Sequence, residues 1–101
     1  MAPASFKWDF DAKILQSLLD DIVMSFNDKT FNARHDRHMT WMPVVLDPRG
    51  WREAMRLLAK TLCQLFVIHR RSGERLCKAG KKGIPVTISI LGFERSPHFA
   101  K

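Results

Sequence analysis

DPRGWREAMRLLAKTLCQLFVIHRRSGERLCKAG, residues 47–80, is the stretch whose start signal, apolar period and stop signal all agree. Asp47 is placed to accept from the first free amides of a helix. Pro48 falls where a missing N–H costs nothing, and Leu46 can staple onto Trp51. Trp51, Met55, Leu58, Leu62, Leu65, His69 and Leu76 then recur at alternating spacings of four and three, interrupted only by Ser72. Ala54, Leu57 and Ile68 widen this stripe. Lys78 suits the negative end of the helix dipole, and Gly80 can adopt the left-handed conformation that closes a helix.

A helix of about thirty residues is about 45 Å long at 1.5 Å per residue, whereas a compact 100-residue domain has a radius of gyration of about 13 Å. Such a helix overhangs its own domain. Either it bends near Ser72-Gly73, or its stripe is shared with a second copy of the chain, and the second reading is favoured. Trp51, Met55, Leu58, Leu62 and Leu65 are therefore the expected core stripe and homodimer interface.

Upstream, Phe10, Ile14, Leu15, Leu18, Leu19, Ile22, Val23 and Phe26 fall at helical spacing, with Lys13, Gln16, Ser17, Asp20 and Asp21 opposite. This predicts an amphipathic helix of about eighteen residues from Asp9, preceded by a frayed Met1 to Ser5 and ended by Asn27-Asp28-Lys29. Residues 34–46 mix β-branched and aromatic side chains with polar ones around Pro43, which reads as an edge strand. Residues 84–93 alternate Val86, Ile88, Ile90 against Thr87, Ser89, Leu91, the clearest strand pattern in the chain. The expected fold is thus α+β, ordered helix, strand, helix, strand, in one domain over 1–101 with an ordered core at about 9–95. Its two strands leave their pairing direction open. A two-stranded sheet is marginal alone, so dimerisation is expected to complete it.

The 101 residues carry a net charge of +7, and 46% are hydrophobic. From Asp47 to Lys82 there are ten Lys and Arg against three Asp and Glu, so this stretch equals the whole imbalance. Arg70, Arg71, Arg75 and Lys78, continued by Lys81 and Lys82, form a dense basic cluster that suits either a solvated helix face or, as the alternative function, a small nucleic-acid-binding protein contacting phosphates through residues 70–82. No pair of short helices joined by a tight turn accompanies it, so it is no helix-turn-helix reader. No apolar run reaches a membrane span and no leader pattern precedes the first helix, which sets the expectation of a cytoplasmic protein without a membrane partner. Cys63 and Cys77 lie fourteen apart on one helix, out of reach of each other, and are expected to stay reduced and pack as small hydrophobes. His35 and His38 share a face only in a helix, and Cys63 and His69 diverge by about 120° around their helix, so no metal site is expected. A phosphate-binding glycine loop, a nucleophile elbow and a paired-carboxylate cleft are all missing from the pattern, so neither an enzyme nor a cofactor is expected.

Leu46-Asp47-Pro48-Arg49-Gly50-Trp51-Arg52-Glu53, the long helix after it, Glu74-Arg75-Leu76, and Gly83-Ile84-Pro85-Val86-Thr87 together resemble a known pattern. It is similar to the carboxy-terminal half of bacterial ArsR-like winged-helix transcriptional regulators, over about Ile14 to Glu94. In those proteins an amino-terminal winged helix reads DNA. That head has no counterpart among these residues, so no DNA-reading role passes to any of them, and Met1 is read as an internal or an engineered start. Ile68-His69-Arg70-Arg71 is also more basic than the group's pattern. The resemblance implies a dimerisation and regulatory domain that contacts DNA only through a separate winged helix, with a small-molecule effector pocket drawing on Trp41 and Met42.

Overall fold

The computed structural model describes residues 2–98, with side chains from residue 10 onward. Its regular elements are two helices, α1 (Ala2–Asn27) and α2 (Pro48–Ala79). The chain divides into two compact units, residues 1–42 and 43–101.

In the first unit, α1 begins at Ala2 rather than at Asp9, because Ala2 and Ala4 favour a helix and Pro3 is tolerated in a first turn. Its end falls at the expected place. Lys29 takes the left-handed conformation at φ 63°, and the amides of Thr30 and Phe31 both donate to the Ser25 carbonyl. Phe31 then stacks on Phe26 at 4.4 Å between ring centroids, and the Arg37 guanidinium lies 5.3 Å from the Phe31 ring centre.

In the second unit, the Asp47 side chain accepts from the Gly50 amide at 2.7 Å, and Pro48 opens the helix. The helix runs unbroken for 32 residues, about 48 Å at 1.5 Å per residue, straight through Ser72-Gly73. It closes on Gly80 at φ 63°, whose amide reaches the Cys77 carbonyl while that of Lys81 reaches the Leu76 carbonyl.

Neither expected strand forms, and the described residues are all-α rather than α+β. Residues 34–46 hold only local bonds, such as Thr40 Oγ1 to His38 Nε2 at 2.7 Å, and residues 84–93 join no ladder. The physical reason is that alternation specifies an extended, two-faced segment, whereas a strand also needs a hydrogen-bonding neighbour.

After α2 the chain doubles back along it. A Cβ on Gly83 would stand 2.7 Å from Leu76 Cδ1, and one on Gly92 would stand 2.7 Å from Met55 Cε and 2.9 Å from Leu58 Cδ1. The lengths match: nine residues at about 3.3 Å span about 30 Å, as do the roughly twenty helical residues from Leu76 back to Met55 and Leu58 at 1.5 Å each. Residues 81–93 are called the return segment below.

Candidate self-association surface

On α2 the half-buried positions are Gly50, Ala54, Met55, Leu58, Thr61, Leu65, Val67, Ser72 and Leu76, and most of them follow the expected three-four rhythm. The return segment shields this side, because Val86, Ile88 and Ile90 point toward Leu62, Leu65, Phe66 and His69 across an open groove of about 400 Å³. A second groove, of about 540 Å³, continues toward the carboxyl end between His69, Ser72, Leu76 and Lys82, Ile84, Val86.

The shielding is partial. Of the expected interface residues, Met55, Leu58 and Leu65 are half-buried, while Trp51 and Leu62 remain 41% and 47% exposed. Ile88, at the middle of the return segment, is 62% exposed, and no described residue of either unit is fully buried. On α1 the expected stripe is just as open, with Phe10, Ile14, Leu19, Val23 and Phe26 all more than half exposed. An apolar side chain left in water forgoes about 1.5–3 kcal/mol of burial.

Trp41 and Met42 stand 78% and 71% exposed on the extended stretch before α2, and neither lines either groove. Arg70, Arg71, Arg75 and Lys78 are exposed and make no ion pair among the described residues. At about 100° per residue they fill an arc of about 140°, nearly opposite the apolar stripe. Charge and apolar surface are thus sorted onto different sides of one helix. Cys63 and Cys77 are free thiols, and both are exposed rather than packed as small hydrophobes. No group of three His, Cys, Asp or Glu side chains converges on a metal-sized site among the described residues, and no described helix is long and apolar enough to cross a membrane.

Sequence reading missed the return segment's place against α2, although Gly83 and Gly92, which bracket the alternating run, signal a close backbone approach. Phe66 was missed as a groove residue because it lies beside the stripe rather than on it. No protein-family model, characterised protein or solved structure matches this chain.

Proposed function

We propose that this chain is a non-enzymatic dimerisation and regulatory module of a cytoplasmic bacterial transcription regulator, which contacts DNA through a separate winged helix. The observation that carries the self-association is the want of a core: no described residue is fully buried, although 46% of the chain is hydrophobic. Support for the regulatory role comes from the ArsR-like order of motifs at residues 46–53, 74–76 and 83–87. An apolar effector with a hydrogen-bonding group would find His69, Ser72 and Lys82 among the apolar walls of the second groove. The basic side of α2 would add phosphate contacts without sequence preference.

Light scattering at tens of micromolar tests the reading. The expected mass is twice the chain's 11.7 kDa, and Leu65→Asp, which puts a charge into the shared stripe, should abolish the dimer or unfold it. A strict monomer that melts in one sharp transition would sink it.

A further inference from the structure

We infer that two copies of this chain join by pairing their return segments, residue 84–93 against residue 84–93, as an antiparallel ladder on a twofold axis through Ile88. The inference rests on the self-association proposed above and specifies its geometry. In an extended segment, successive residues turn their N–H and C=O groups to opposite edges. Ile84, Val86, Ile88, Ile90 and Gly92 share one edge, and none of them makes a hydrogen bond among the described residues. The other edge carries Pro85 and so has one donor fewer. The complete edge is the one able to form an uninterrupted ladder, and a twofold axis then has to pass through one of its own residues.

Charge and size choose which. Centred on Ile88, the ladder sets Val86 opposite Ile90 of the second copy and Ile84 opposite Gly92, large against small. One step beyond the apolar run it sets Lys82 opposite Glu94, and does so twice by symmetry. Centring on Val86 would instead put Lys82 against Ile90, and centring on Ile90 would put Glu94 against Val86. Residues 84–93 carry no charge, so the register brings no like charges together inside the ladder. Lys81 and Arg95 also come opposite each other at the same solvated ends, where screening weakens this repulsion and the Lys82–Glu94 attraction alike. This matched pair matters in a chain of net charge +7, which otherwise repels its own copies. Directly opposed residues point to the same face of a ladder, so both α2 helices lie side by side on one face, over the open groove lined by Leu62, Leu65 and Phe66. The second copy supplies the hydrogen-bonding neighbour whose absence leaves residues 84–93 outside any strand.

The test uses the full chain with Cys63→Ala and Cys77→Ala. In the proposed register Thr87 faces Ser89 of the second copy at a non-hydrogen-bonded position, with Cα atoms about 4.5 Å apart, inside disulfide range. Thr87 and Thr87 of the two copies are diagonal neighbours at about 7–8 Å, outside it. Mixing a tagged Thr87→Cys chain with a Ser89→Cys chain under mild oxidation should therefore give at least about ten times more covalent dimer than either chain alone. Independently, Lys82→Glu should weaken the dimer about tenfold by light scattering or sedimentation, and the double variant Lys82→Glu with Glu94→Lys should restore it. A dimer that shows neither the selective cross-link nor the rescue overturns the ladder and leaves the self-association standing. A chain that stays monomeric overturns both.

Discussion

Gly73 stands inside α2, where glycine costs about 0.5–1 kcal/mol relative to alanine, yet a Cβ there would meet nothing within 4 Å and the backbone stays helical. Gly73→Ala should therefore stabilise the protein by about that amount, read as a higher denaturant midpoint at unchanged slope. An unchanged or lowered midpoint would show that the second groove, which Gly73 lines, needs the missing side chain. Gly92 is the opposite case, because its Cβ would have to displace the ends of Met55 and Leu58. Sequence alone marks both glycines as helix or strand weakeners. What separates them is which surface comes near, and that is a fact of the folded chain.

At the scale of the element, α2 is held at both ends by backbone chemistry that its sequence spells out: Asp47 on the Gly50 amide, Pro48 at the start, Gly80 in the left-handed region. Asp47→Ala should cost about 1 kcal/mol, seen as a lower melting temperature, while Asp47→Asn, which keeps the acceptor, should cost a few tenths at most. Equal losses in the two variants would mean that charge on the dipole, rather than the cap hydrogen bond, is what Asp47 contributes. The boundaries of α2 were legible because caps are local, depending on side chains within four residues. The start of α1 was not, since Ala2-Pro3-Ala4 carries no apolar period to announce a helix.

Across the whole molecule, surface is the dominant fact. The apolar residues of α2 and the return segment face one another across a groove, and the basic residues Arg70, Arg71, Arg75 and Lys78 occupy the far side of the helix. If those four contact phosphates, binding to duplex DNA should fall about a hundredfold between 50 and 200 mM salt, equally for every sequence. A gel shift at low salt measures it. Retention without salt dependence, or no binding at 50 mM, would leave the four as a solvated face only. If the chain self-associates as proposed, the dimer should survive the same salt range with only a modest loss, because apolar burial would outweigh the two Lys82–Glu94 pairs.

What the sequence determined by itself was α2: its caps, its length, its apolar stripe and the basic side turned away from it, all set by interactions within a few residues along the chain. It also marked 84–93 as extended and two-faced. Only the tertiary structure decided that this run lies back along α2, with no hydrogen bond at Ile84, Val86, Ile88, Ile90 or Gly92, and that the described residues are all-α. Alternation records which side chains share a face, but a ladder depends on a second backbone arriving from elsewhere, and among the described residues none does.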